Sequence, residues 1–434
     1  MEDSEMNKLN KIEYLLFYIS YYLNMHIKDI QYHQALLLIA SIAMILLLFY
    51  FNRIISFSIG LGSGISIVAN IYGSVNRTIL SNSSLSSIVA SVLLSNLTMP
   101  SHPYKLNFCI TYKCNSRCKT CNIWKSAPKN ELSLSEITQF AEKNRSFSWI
   151  EFTGGEVFLR QDFTEIIRAF NNTSHPFLVT FPTNCLASES NILNKIDKIL
   201  GMGIPKIAIT LSLDGNEAVH DFIRGVPGNF KKTISLFKKL QEIKKTHKNL
   251  FIIFGYTLSK YNQGRFKETF EAVRKLIPDI SYNDFHINIA QASGNYYGNE
   301  KQFDTIMPDA GIAASEIAFL LKNRKFEISA VQHIESKFLN NLILFLQEGI
   351  QPMKSRSMID SLFLDSYGNI YPSIMWDKKL GNIRETGFSL QPIWNSKAVQ
   401  EVRTAIAQGK EPLQWTSCEA YQSILSKELN IFRT

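Results

Sequence analysis

Cysteine is scarce, six in 434 residues, and this rules out a disulfide framework as the source of stability. Disorder is ruled out too, since 45% of the residues are hydrophobic and 19% charged, an ordinary globular balance. No nucleic-acid-binding motif accompanies the formal net charge of +9, so nucleic acid is not an expected partner. No internal repeat stands out. The positive excess is unevenly placed. Residues 1–100 hold five basic side chains (Lys8, Lys11, Lys28, Arg53, Arg77) and five acidic ones (Glu2, Asp3, Glu5, Glu13, Asp29). All of the excess therefore lies in residues 101–434, a body whose charge suits an anionic membrane surface or a phosphorylated substrate.

Charge is missing altogether from Ala35–Phe51, where Ser41 is the only polar residue. The run is just long enough for a membrane span, and Tyr32, Tyr50 and Arg53 flank it as interfacial residues do. It starts too far from Met1 for a simple cleaved signal peptide. We expect a transmembrane helix at about 34–52 and a possible second span at 54–72, where Gly60 and Gly64 have the spacing that lets helices approach closely. Residues 1–100 then form a membrane-anchoring region, with Ser81–Ser101 a linker or surface helix.

After Tyr104 the pattern alternates. Strand-like runs fall at Leu106–Thr111, Trp149–Thr153, Phe177–Phe181, Lys206–Leu213, Leu250–Leu258 and Phe285–Ile289. Helical patterns separate them near Leu134–Lys143, Phe163–Phe170, Asn191–Leu200, Phe230–Lys245 and Arg265–Leu276. Such alternation predicts an α/β fold with a parallel sheet, and six units fit a partial (β/α)6 TIM-like barrel over residues 104–308. In such barrels chemistry sits at the C-terminal ends of the strands. A short strand–turn pattern at Ser361–Tyr371, turning at Tyr367-Gly368-Asn369, predicts a small appended domain over residues 353–434.

Three of the six cysteines crowd into eight residues as Cys114-Asn-Ser-Arg-Cys118-Lys-Thr-Cys121, directly after the first strand. Clustering of this kind points to a metal and a reducing compartment. Three thiolates can hold three irons of a [4Fe–4S] cluster and leave the fourth open to a small molecule. Zinc wants four protein ligands, usually from paired CxxC motifs, and no second pair exists.

This CxxxCxxC, continuing as Cys121-Asn-Ile-Trp124, resembles the cluster motif of the radical S-adenosylmethionine (SAM) superfamily. The resemblance extends over residues 105–300 through further motifs in the right order. Thr153-Gly154-Gly155-Glu156 is similar to the family's GGE segment, which implies contact with the SAM amino group. Ser212-Leu-Asp214-Gly215 is similar to its SxDG segment, which implies that Ser212 and Asp214 lie near the SAM ribose or methionine. Arg224 would then suit the SAM carboxylate, and Thr183-Asn184 looks like a pair found near the ribose. The residue after that pair is often glycine and here is Cys185, which we read as filling that space. Cys109, within the first strand, reads as core, and His220 and His286 as structural. The resemblance implies cleavage of SAM to a 5′-deoxyadenosyl radical that takes hydrogen from a substrate. It also implies a low-potential electron donor of ferredoxin or flavodoxin type.

Residues 361–424 resemble the SPASM-type extension of many such enzymes, which usually carries an auxiliary cluster on cysteines. The matching stretches are Leu364–Pro372, Gly381–Ile383, Ile393–Asn395 and Trp415–Tyr421. Here the expected cysteine positions read Ser373, Glu411 and Gln414, and only Cys418 remains. We therefore expect the fold without its cluster, and one cluster in the chain. The membrane segment beside a basic body suggests a membrane-associated substrate such as a lipid, an isoprenoid or a lipid-linked sugar. A peptide- or protein-modifying enzyme and a non-catalytic membrane-bound protein are the alternatives. The chemistry needs cytosolic SAM and electrons, so residues 101–434 should face the cytoplasm from a membrane anchor.

Overall fold

The structure, a computed structural model, describes residues 85–327 and 329–430. Both expected membrane spans lie outside the described residues. Among the described residues no helix is long and apolar enough to cross a membrane. Residues 82–427 form one compact unit.

A first helix, α1 (Leu85–Leu97), precedes the alternating region. Six strands follow: β1 (Lys105–Thr111), β2 (Trp149–Gly154), β3 (Leu178–Thr183), β4 (Lys206–Ser212), β5 (Leu250–Leu258) and β6 (Phe285–Ile289). Between them run α2 (Leu134–Lys143), α3 (Phe163–Ser174), α4 (Glu189–Leu200), α5 (Glu217–Arg224), α6 (Asn229–Thr246) and α7 (Phe266–Leu276). Neighbouring strands are parallel in the order β6-β5-β4-β3-β2-β1. The sequence reading of six βα units is therefore observed. Helix α5 is an addition to the expected elements. Its ends are marked by Asn216 capping the Val219 N–H and by Gly225 in the left-handed region at φ 65°.

The alternation along each strand decides what each face does. On β3, β4 and β5 every second residue, from Val179 and Phe181 to Phe254 and Leu258, is buried in the main core beneath the helices. The other set is half-exposed on β3 and β4 and forms an inner face without a helix layer of its own.

The C-terminal region joins this sheet. Helices α8 (Ala310–Asn323) and α9 (Ala330–Glu348) lead to β7 (Ser361–Leu364), β8 (Asn369–Tyr371) and β9 (Gly381–Asn382), followed by α10 (Lys397–Ala407) and α11 (Ser417–Glu428). The expected turn at 367–369 is present, but the hairpin is no appendage. β7 pairs in parallel with β1, so one nine-stranded sheet runs through both regions. Without β7, β1 would present an unpaired edge, an aggregation liability.

Helix α11 lies against the inner face of β1 and β2. Lys105 donates to the Cys418 carbonyl (2.5 Å), and Asn107 donates to Glu419 (2.9 Å). Ser357 and Gln422 also donate to Glu419, at 2.8 and 3.0 Å. The segment read as linker or surface helix is instead packed: α1 buries Ile88, Val92 and Leu93. Its end is held by Arg356, which donates to the Ser95 carbonyl at 2.9 Å, and by Asn96, which donates to the Ser426 carbonyl at 2.8 Å. Arg356 in turn pairs with Asp360 (2.7 Å), whose carbonyl receives the Lys105 N–H. Helix α1 therefore sits at the N-terminal ends of the strands.

Burial pushes Glu419 up to about 7, against the pull of Lys105. A carboxyl raised in the folded state adds stability below its unfolded value of 4.5, and that contribution is lost as pH rises toward 7. Glu419→Gln should thus unfold with a flatter pH dependence between about pH 5 and 7.5 than the wild type, measured by thermal denaturation. A variant profile as steep as the wild type's would contradict the assignment.

Candidate functional site

The three clustered cysteines lie on the loop that leaves the C-terminal end of β1, and three parts of the fold clasp that loop. The first is the end of α5. The Arg117 N–H donates to the Arg224 carbonyl (2.8 Å) and the Lys119 N–H to the Ile223 carbonyl (2.9 Å), so the loop satisfies carbonyls that a helix end leaves open. The second is the turn after β2. Gly155 N–H donates to the Thr111 carbonyl (2.7 Å) and Glu156 N–H to the Lys113 carbonyl (2.8 Å). The approach is so close that a Cβ on Gly155 would stand 2.2 Å from the Lys113 oxygen and 2.9 Å from Cys114 Cβ. The third is Glu131, which accepts from the Tyr112 N–H (2.6 Å), the Thr111 hydroxyl (2.9 Å) and the Ser366 hydroxyl (2.9 Å). Glu131 thereby ties the loop to the C-terminal region.

Each thiol is half-buried and faces a hydrogen-bond donor. Asn184 Nδ2 lies 3.7 Å from Cys114 Sγ, Arg224 Nη1 lies 3.7 Å from Cys118 Sγ, and the Ile123 N–H lies 3.4 Å from Cys121 Sγ. Burial, with Cys118 adding to it, pushes the Cys114 thiol up to about 11 and raises Cys121 further. Free thiols so placed keep their protons; bound iron displaces them. Among the described residues no three of His, Cys, Asp and Glu converge on a single metal ion. A single ion bonds sulfur at about 2.3 Å and needs its ligands nearly in contact, whereas a cluster brings an iron to each thiolate. The donor set, three thiolates each facing an N–H, fits the cluster.

The other expected site residues gather around this loop. Asp214 is buried, with its Oδ2 2.7 Å from Arg224 Nε and its Oδ1 accepting from the Thr257 N–H at 3.0 Å. Arg224 thus spans Asp214 and Cys118. Asn184 donates through Nδ2 to Asn115 Oδ1 (2.9 Å) and so holds a second point of the loop. The Gly154 carbonyl accepts from Tyr296 (3.0 Å), and Ser212 ends β4 on the inner face. Glu156 turns inward. Its carboxylate accepts from the Asn184 N–H (2.7 Å), the Thr183 hydroxyl (3.0 Å) and the Phe158 N–H (3.2 Å), while burial pushes it up to about 7. It braces the turn that carries Asn184.

His220 is buried and accepts the Asp214 N–H at 3.0 Å through Nδ1, with burial lowering its pKa to about 4. His286 lies with Glu335 at 2.9 Å, away from the loop. Cys109 is buried, as expected. Cys185 is buried as well, at φ 61°, the left-handed conformation that explains why glycine suits that position.

Sequence reasoning missed an aromatic floor. Tyr296 accepts from the Thr153 hydroxyl (2.7 Å), Tyr112 stacks on Tyr367 at 5.5 Å, and Tyr296 meets Phe363 edge-on at 5.4 Å. The only signal was the pair Tyr296-Tyr297 in a polar loop after β6. The positions where an auxiliary cluster would need cysteine are individually engaged. Ser373 donates to Gln414 (2.8 Å), Glu411 accepts the Ser355 N–H (3.0 Å), and Cys418 donates to Glu151 (3.0 Å).

Residues 108–273 match the model of the radical SAM superfamily, and residues 356–420 match the SPASM iron–sulfur cluster-binding domain. The chain is a radical SAM superfamily enzyme with a C-terminal SPASM-like domain, of a family that binds a [4Fe–4S] cluster and SAM. It is 24% identical over 319 residues to the AdoMet-dependent heme synthase of Methanosarcina barkeri, covering 70% of this chain and 85% of that protein. It is 24% identical over 176 residues to the sporulation killing factor maturation protein SkfB of Bacillus subtilis, covering 39% of each. The crystal structure of Streptococcus suis SuiB bound to S-adenosylmethionine shares the fold at a TM-score of 0.51 and 15% identity, covering 79% of this chain and 80% of that one.

Gly155→Ala should displace the cysteine loop, since its methyl group meets backbone at 2.2 Å. The expected result is a folded protein by circular dichroism that retains well under half the wild-type iron after anaerobic reconstitution. Full iron content in this variant would contradict the clasp.

Proposed function

We propose that this enzyme modifies a peptide or protein that enters along the open inner face of the sheet. The character of that face carries the reading. Toward the cysteine loop its half-exposed positions Thr180, Ala208, Thr210, Ser212, Ile253 and Thr257 are uncharged, and its charged residues Glu151 and Lys206 lie lower, with Lys206 over the Phe251 ring. Lys105, at its foot, is buried and committed to Glu151 (3.4 Å) and α11. A phosphate or pyrophosphate head calls for converging cations, whereas a peptide backbone calls for neutral donors and acceptors of this kind.

A membrane anchor at about residues 34–52, with the catalytic part facing the cytoplasm, is part of the proposal. A membrane-embedded substrate is the second reading, and the uncharged run Ala35–Phe51 is what favours it. By its description SkfB matures a sporulation killing factor, while the heme synthase has a different product, so the relatives support the peptide reading without selecting it.

Cluster and SAM, when bound, supply a 5′-deoxyadenosyl radical able to take hydrogen from carbon. The chain's own part is to hold and shield. Cys114, Cys118 and Cys121 would bind the cluster. Arg224, already balanced by Asp214, offers its remaining N–H groups to a carboxylate. Tyr112, Tyr296 and Phe363 close the floor against water.

The test is anaerobic incubation with SAM and dithionite, adding either a cytosolic peptide fraction or membrane-lipid vesicles. Peptide-dependent 5′-deoxyadenosine with a mass change in a peptide is expected. Formation that depends on lipid alone would overturn the reading. Thr210→Lys, which sets a charge that a bound peptide would cover on the inner face, should lower peptide-dependent turnover by about tenfold or more while sparing SAM cleavage without peptide.

A further inference from the structure

The segment that carries the cluster cysteines is charged with one sign only. From residue 113 to residue 129 it holds Lys113, Arg117, Lys119, Lys125 and Lys129 and no acidic residue. All five side chains are exposed. Among the described residues, the ion pairs involve none of them. The nearby loop that the Asn122 side chain reaches at Gly298 carries Glu300, and Lys301 follows it.

Two aromatic rings lie among these cations. Phe222, on α5, is 54% exposed, and the Lys119 ammonium stands 4.3 Å from its ring centre. Trp124 is half-exposed beneath Lys125, 5.4 Å from its ring. Its indole N–H donates to the carbonyl of the cluster ligand Cys118 at 3.3 Å. An apolar centre with a charged rim is the anatomy of a docking surface. Here the indole also connects the surface to the cluster loop.

We propose that this face docks an acidic one-electron donor protein of flavodoxin or ferredoxin type, and that Trp124 lies between the donor and the cluster. In the step served, one electron leaves the reduced donor and enters the oxidised cluster; no bond of the enzyme forms or breaks. The charge complementarity steers the encounter, and the aromatic pair fixes its orientation. The proposal rests on the cluster site and is independent of the substrate reading.

The test uses the full chain with its cluster reconstituted and follows bleaching of the iron–sulfur absorbance. Reduced flavodoxin or dithionite serves as reductant. Lys119→Glu/Lys125→Glu should be reduced by flavodoxin about tenfold or more slowly than wild type. Its reduction by dithionite should be unchanged. Lys238→Glu/Lys275→Glu, the same charge change on exposed cations of α6 and α7, should behave as wild type. The wild-type flavodoxin rate should fall steeply between ~50 and ~500 mM salt, and the rim variant's should not. A rim variant as fast as wild type, or an equal loss in the control variant, would overturn the proposal. So would an equal loss with dithionite, or binding of the face to anionic vesicles with flavodoxin reduction unchanged. Should the rim variant assemble no cluster, the wild-type salt profile decides, and a flat profile overturns it.

Discussion

The clasp on the cysteine loop is the constraint on which the rest of the site depends. Two backbone bonds to the last carbonyls of α5 hold it from one side, and two to the turn after β2 hold it from the other. The glycines follow from this closeness, because any side chain at Gly155 would occupy the space of Lys113. Arg224 follows too. As the last residue of α5 it delivers a carbonyl to the loop and a guanidinium to Cys118 and Asp214 at once. Holding the loop and placing the charge are thus one structural act.

The C-terminal region contributes to that site through the sheet it extends and the hydrogen bonds it makes. β7 extends the sheet from β1, Ser366 reaches Glu131 behind the cysteine loop, and α11 lies along the inner face of β1 and β2. At the positions where the resemblance leads one to expect cysteine, hydrogen bonds such as Ser373 to Gln414 and Glu411 to Ser355 join distant segments. Cys418 alone keeps its thiol, and that thiol is turned to Glu151.

Much of this was legible in the sequence, and the parts that were share a cause. The six parallel strands are buried on at least one face, so β-branched and apolar runs mark them to within a residue or two. The cysteine spacing and the glycines at 154–155 are local, and local patterns survive in a single sequence. What escaped was long-range. Nothing near Ser361 says that it will pair with Lys105, and nothing in Glu156 says that its carboxylate will turn inward to the Asn184 N–H. The helix over Leu85–Leu97 looked like a surface segment because its serines dilute its apolar side, yet Ser87 and Ser95 are buried with it. Cys185 shows the limit at one residue: its left-handed backbone is visible only in the structure.

The central claim is that Cys114, Cys118 and Cys121 hold the only cluster of the chain. The most direct measurement is iron and sulfide quantification with electron paramagnetic resonance on the anaerobically reconstituted, reduced full chain, with and without SAM. The account predicts about four irons per chain and a single [4Fe–4S] signal that shifts when SAM is added. About eight irons, or a second signal indifferent to SAM that survives replacement of the three cysteines, would contradict it.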